Sequence, residues 1–399
     1  MLSKPVILSA VRTAIGSFGG SLKNKSAVEL GTVSVKGAIE RAKIAATQID
    51  EVVLGCVGQY SLNAFLARIV ALKSGCTENS TAQTVNRLCA SGLQAIITAA
   101  MLIENGDMKI TVAGGVESMS NYPYYLNSAR WGMKMGVANN SVEDAITTAL
   151  SEPFTGVNTH IAVTAEKLAE KYSISRKELD EYALRSQERA LAAIQNGFFK
   201  EQIIPVEIED KKQTVLFETD EHPRSTSIEK LSALKPFAKN DGVITAGNAS
   251  GINDGAAAVV LADEQTAKEL GLRPIARLLD FAVAGVDPSI MGLGPVFSTR
   301  KLLEKTGFPL KDIDLIELNE AFAAQAIACI RELDLDSEKV NVNGSGISLG
   351  HPIGATGAII STKLIHEMIR RKVRYGISAL CIGGGQGMSA LFEVLQGAY

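Results

Sequence analysis

The chain lacks a basic excess, a long apolar run and any regular cysteine pattern. Its 40 Lys and Arg against 43 Asp and Glu give a net charge of −3. That balance has none of the electrostatic footprint of a nucleic-acid binder. No apolar stretch reaches the ~18–20 residues of a membrane span. The five cysteines, Cys56, Cys76, Cys89, Cys329 and Cys381, form no CxxC pair, and the four histidines are scattered. Metal-ligand spacing is therefore absent, and no metal is expected. The N-terminus enters a strand-like run at Val6 to Ala10 with no export or transit pattern, and the last residues are not a peroxisomal tripeptide. Together with the odd cysteine count, this predicts reduced thiols and a cytoplasmic location.

What is present is an α/β pattern on a 399-residue chain, long enough for two or three packed units. Strand-like runs such as Val52 to Leu54, Ile110 to Ala113, Ala256 to Leu261, Leu315 to Leu318 and Ile377 to Ile382 alternate with helical stretches. The two ends resemble each other. Ile49 to Gly55 matches Ile313 to Asn319, and Val112 to Ser120 matches Cys381 to Ser389, in the same order. A helical segment precedes each Gly-rich run, Ala90 to Glu104 and Ala355 to Arg371. Two similar α/β domains are the expectation. The centre breaks the pattern with an aromatic stretch at Tyr122 to Tyr125 and an amphipathic helix over Arg176 to Gln195. Ser175 and Glu178 predict a capping box at its start and Asn196-Gly197 its stop.

Four segments carry chemistry. Cys89 follows the strand-like run Ala82 to Val85 and precedes a helix, so it falls at a helix N-terminus, where free N–H groups and the dipole lower a thiol's pKa. Local sequence leaves open a buried structural cysteine. His351 sits in the Gly-rich run Asn343 to Gly357, as the base a thiol nucleophile needs or as a cap for the next helix. Cys381 ends a strand before Gly383-Gly384-Gly385, whose N–H groups suit an oxyanion hole or a strand-end bulge. Asn319 and Glu320 stand at a strand-to-helix junction, as caps or as site residues on the strand ends.

These segments resemble the thiolase family nearly end to end. The resemblance includes Val11 to Gly16, Gly114 to Ser120, Ala246 to Gly255, Asn319 to Phe322, Gly350-His351-Pro352 and Cys381 to Gly385. It implies a duplicated five-layer αβαβα fold with an inserted loop subdomain. The implied division is 1–120 plus 246–270, an insert at 121–245, and 271–399. It also implies ping-pong Claisen chemistry on coenzyme A thioesters, with no prosthetic group. Acetyl-CoA and acetoacetyl-CoA are the expected partners, and longer 3-ketoacyl-CoA thioesters the alternative. Cys89 would carry the acyl group, His351 activate it and Cys381 move the α-proton. Asn319 would hold a water beside His351, and the N–H groups of Cys89 and Gly383 would form a second oxyanion hole. The implied CoA contacts are Ser250, Ala249, His160, Arg224, Ser227, Ala321 and Phe322. Ile161 stands where the family often has Met, which bears on acyl-chain preference. A homo-oligomer, as a dimer of dimers, is the implied assembly.

Overall fold

A computed structural model describes residues 4–127, 129–133, 135, 142–154, 159–210 and 213–398. Nine strands build the frame. They are β1 (Pro5–Arg12), β2 (Glu51–Gly55), β3 (Thr81–Val85), β4 (Ile110–Ser118), β5 (Asn253–Asp263), β6 (Ala276–Gly285), β7 (Leu315–Leu318), β8 (Tyr375–Ile382) and β9 (Gln386–Val394). They hydrogen-bond in the order β7-β8-β9-β6-β1-β5-β4-β2-β3. The two halves of that path meet only at Ile7 and Ala276 of β1 and β6. β1, β4 and β5 are buried along their whole length. This fits their near-continuous apolar sequences, since both faces are covered.

The duplication extends to irregularities. β1 carries a register shift between Ile7 and Ser9 against β5, and β6 carries one between Leu278 and Asp280 against β9. Pairing also corrects the repeat alignment. Glu51 pairs with Thr111 in one half and Leu315 with Gly376 in the other, so Val116, not Val112, is the counterpart of Cys381. The sequence match is four residues out because it equated two kinds of glycine. Gly114 and Gly115 lie inside a strand, where a Cβ would come within 2.0 Å of Ala257 O and 2.3 Å of Gly354 O. Gly383 to Gly385 instead make the turn from β8 to β9, with Gly384 and Gly385 at φ of 80° and 85°. The equivalent strands β4 and β5 are joined by residues 119–252.

Among the described residues, seven helices of ten or more residues complete the layers: α1 (Ala27–Ala42), α2 (Ser91–Glu104), α3 (Ala162–Lys171), α4 (Arg176–Gln195), α5 (Gly294–Thr306), α6 (Ala323–Glu332) and α7 (Thr356–Arg371). α1 covers β1, β4 and β5 from one side, and α5 covers β6, β8 and β9. Between them α2 and α7 pack on each other, with α2 against β2 and β4 and α7 against β5 and β8. Their contact has no spare room. A Cβ on Gly92 would come within 2.7 Å of Ala358 N, and one on Gly357 within 2.4 Å of Leu93 N. Those glycines let two backbones touch at the helix starts that carry Cys89 and follow His351.

The intervening segment is anchored by a buried pair. Arg12, fully buried, donates to both carboxylate oxygens of Asp220 at 2.7 and 2.9 Å and to Gln202. α4 starts at Ser175, whose hydroxyl accepts from Glu178 N, and ends at Asn196 with Gly197 left-handed. The reciprocal half of the expected capping box does not form, because the Glu178 carboxylate is drawn to Arg331 of α6.

Candidate functional site

The turn after β3 holds Cys89 by a set of short local bonds. Leu88 takes a positive φ of 45°, unusual for a residue with a side chain. Asn86 Oδ1 accepts from Leu88 N at 2.9 Å. The Ser91 hydroxyl donates to Leu88 O at 2.6 Å and accepts from Arg87 N at 2.8 Å. α2 begins at Ser91, so Cys89 lies just ahead of its first turn. The backbone N–H groups of Gly383 and of Cys89 itself favour the thiolate, as the helix position predicted, but burial outweighs them and pushes the thiol up to about 11. The resting group is a thiol and needs a base.

His351 supplies that base in a defined tautomer. The Thr356 hydroxyl donates to Pro352 O at 2.9 Å. Its one hydrogen is thus used, so at 2.6 Å it accepts from Nδ1–H of His351. Nε2 is left unprotonated, and Asn319 Nδ2 lies 3.4 Å from it. Burial drives the imidazole down to about 4, so the ring is neutral at pH 7. The backbone is pinned as well, with His351 N donating to Asn253 Oδ1 at 3.0 Å after Gly350 at φ 102°. Thr356→Val is expected to free the tautomer and lower kcat by roughly 10²-fold with KM unchanged. Steady-state kinetics and the ¹⁵N shifts of His351 check this.

Cys381 ends β8, almost wholly buried, with its thiol raised well above its usual range by burial and then by the Cys89 and Cys329 sulfurs. Asn319 is fully buried, and among the described residues its Oδ1 has no partner. A polar atom so placed calls for water or substrate. Glu320 turns away and accepts from Tyr182, Ser186, Asn341 and Ile347 N, so it does not cap the helix that follows it and does not line the cavity.

Cys89, His351 and Cys381 line one cavity of about 360 Å³ with Ala249, Ser250, His160, Arg224, Ala321 and Phe322. Ala249 bridges to Phe322, and Ser250 N donates to Ala321 O at 2.9 Å, so these two stretches form one wall. His160 Nδ1 accepts from Ala162 N at 3.1 Å, which leaves Nε2 as its donor. Ile161 also lines the cavity, and a Cβ on Gly383 would stand 3.3 Å from its Cδ1. Ser227 is not brought to the lining; its hydroxyl caps the helix Ile228–Ser232. Cys56, Cys76 and Cys329 are buried outside the cavity wall.

His222 lines the same cavity and was not singled out by sequence. The signal was available in Gly251, where a Cβ would sit 2.4 Å from the His222 ring, but only the fold pairs them. Burial, and next the Arg224 charge, drive His222 down to about 4 from 6.5. The unfolded state then binds more protons between these values, so this group makes stability rise with pH across that window. His222→Gln is expected to flatten the dependence by roughly 1 kcal/mol per pH unit between pH 4 and 6.5, most steeply near pH 5. Urea unfolding at several pH values checks it.

Comparison with known proteins agrees with this geometry. The thiolase N-terminal domain model matches residues 5–265 and the thiolase C-terminal domain model residues 272–394. The beta-ketothiolase BktB of Cupriavidus necator is 50% identical over 98% of this chain and 100% of its own length. The crystal structure of the Bacillus anthracis acetyl-CoA acetyltransferase superposes with a TM-score of 0.96 at 49% identity, covering 99% of both chains. That of human mitochondrial 3-ketoacyl-CoA thiolase in complex with CoA gives 0.94 at 42% identity and 98% of both. The duplicated strand frame, the cavity between its halves and these full-length matches place the chain in the thiolase family.

Proposed function

We propose that the chain is an acetyl-CoA C-acetyltransferase, joining two acetyl-CoA into acetoacetyl-CoA and CoA, reversibly, through an acyl-Cys89 intermediate. The observation that carries this reading is one cavity shared by two raised thiols and the His351 imidazole, whose unprotonated Nε2 faces Asn319 Nδ2 at 3.4 Å. His351 Nε2 takes the Cys89 proton, and the thiolate attacks the thioester carbonyl. The leaving CoA thiolate takes the Cys381 proton. Cys381, now a thiolate with a strong affinity for protons, removes the α-proton of a second acetyl-CoA. Protonated His351 and a water on Asn319 stabilise the enolate oxygen. The enolate carbon attacks the acyl group on Cys89, and the N–H groups of Cys89 and Gly383 hold the resulting oxyanion. Collapse releases acetoacetyl-CoA, and Cys89 recovers its proton from His351. Each group ends as it began.

Incubation with ¹⁴C-acetyl-CoA followed by peptide mass spectrometry tests the reading; label anywhere but Cys89 overturns it. Ile161 and the apolar wall of Met119, Leu150, Met291 and Ile353 favour a short acyl group beside Gly383. Faster cleavage of 3-ketohexadecanoyl-CoA than of acetoacetyl-CoA would instead make it a long-chain degradative thiolase. CoA is held, in this reading, by Ser250, Ala249, His160, Arg224, Ala321 and Phe322, with Ser227 nearer the outer end. The same reading takes 1–120 plus 246–270 and 271–399 as the duplicated domains and 121–245 as the CoA-binding insert. It also takes the protein as a cytoplasmic dimer of dimers, which sedimentation equilibrium would test. Among the described residues no helix is long and apolar enough to cross a membrane.

A further inference from the structure

Glu117 is a fully buried carboxylate that the chemistry above does not use. It ends β4 and faces two loops from opposite halves of the molecule. Its Oε2 accepts from Val57 N and from Gly354 N, each at 2.9 Å, and its Oε1 from Gly58 N at 3.1 Å. The Cys56 thiol lies 3.6 Å from Oε1. Each loop leads to one reacting group. Cys56 N donates to Val85 O at 3.1 Å, and Val85 is the last residue of β3 before the Cys89 turn. Gly354 lies in the turn that begins at His351. That turn is packed without clearance, since a Cβ on Gly354 would stand 2.4 Å from Glu117 Oε2 and 3.0 Å from Cys56 Cα.

Three backbone donors converge on one side chain. Only an acceptor-only group with two oxygens satisfies them together. An uncharged residue of the same size would set an N–H or a C–H against at least one donor. The arrangement costs desolvation of a charge, which burial registers by raising the Glu117 carboxyl above its usual range. A core position that served packing alone would be filled by an apolar side chain. Its counterpart in the second half of the molecule is apolar: one residue beyond the Val116–Cys381 equivalence stands Ile382.

We infer that Glu117 is a positioning residue that fixes the His351 turn against the Cys89 turn and so sets the approach of Nε2 to the nucleophile. This rests on the thiolase reading of the site. It predicts a specific kinetic signature, because the CoA contacts lie on other elements. Glu117→Gln keeps the shape and loses one acceptor. Gly354→Ala keeps the carboxylate and pushes the turn off it. Both are expected to lower kcat per titratable Cys89 by roughly ten- to a hundred-fold, the effect of a displacement of about 1 Å, with KM for acetyl-CoA within twofold. Normalising to Cys89 titrated with iodoacetamide removes any loss that is due only to unfolded protein. A kcat per titrated site within twofold of wild type in Gly354→Ala, or in Glu117→Gln where it folds, overturns the proposal. So does a rise in KM that accounts for the whole loss. Wild-type protein that takes no acetyl label at Cys89 counts against the thiolase reading, and the comparison of variants is read only against a wild type that does.

Discussion

Cys89→Ala is expected to reduce acetoacetyl-CoA thiolysis by on the order of 10⁴–10⁶-fold, the loss seen when a covalent nucleophile is removed from a preorganised site. The physical reason lies in what remains. The N–H groups of residue 89 and Gly383 still face the reaction centre, and Thr356 still fixes His351. None of these provides a sulfur on which an acyl group can rest between two substrates. Without that sulfur, the two-step route becomes a direct transfer between two CoA thioesters, with no covalently held acyl group to await the second. Binding should survive, because Ser250, Arg224 and Phe322 are untouched. The expected result is therefore near-zero kcat with CoA affinity within a few-fold of wild type, measured by calorimetry. Cys89→Ser is expected to do little better. A hydroxyl is far harder to deprotonate than a thiol, even one that burial holds up to about 11.

The reacting groups were legible in the sequence because each sits in a local motif that physics constrains. Cys89 lies between a strand and a helix, and His351 and Cys381 lie among glycines that no ordinary loop requires. Some element bounds followed from apolar runs, as over Leu315 to Leu318, and the helix over Arg176 to Gln195 falls where its periodicity and Ser175 place it, but the strand from Ile110 runs past Ala113 to Ser118 through its glycines. What was not legible depends on contacts across the chain. Glu178 could not be known to prefer Arg331 over its own helix terminus. The four-residue error in the repeat came from glycines whose meaning depends on which neighbour presses on them. The direction of the Cys89 shift depends on contacts of the same kind. A helix terminus is a local feature and lowers a thiol's pKa, whereas burial is set by the second half of the molecule and proved larger. His222 came to the cavity only through the fold. Thr356 is five residues from His351, yet its role needed the Pro352 carbonyl to be seen accepting its hydrogen.

Cys381→Ala should separate the two half-reactions. Cys381 is not the acyl carrier, so Cys89 should still take label from acetyl-CoA. The slowing of that step reflects only the loss of a proton donor to the departing CoA thiolate, which solvent or His351 replaces in part. Condensation is different. The α-proton of a thioester leaves only when a base stands over the carbon while the enolate oxygen is held, and no other group in the cavity wall combines position and basicity. Burial lowers His160 and His222 as it does His351; the His160 ring packs edge-on against Phe237, and the His222 ring lies beside Gly251. Loss of a positioned general base costs about 10²–10⁴-fold. The upper end is expected here because burial holds the Cys381 thiol well above its usual range, making its thiolate an unusually strong base. The measurement is a ratio: acetyl label on Cys89 within one minute, against acetoacetyl-CoA formed over the following hour. A high ratio supports the division of labour between the two cysteines. Equal loss of labelling and condensation would make Cys381 as necessary to acyl transfer as to α-proton removal and overturn that division.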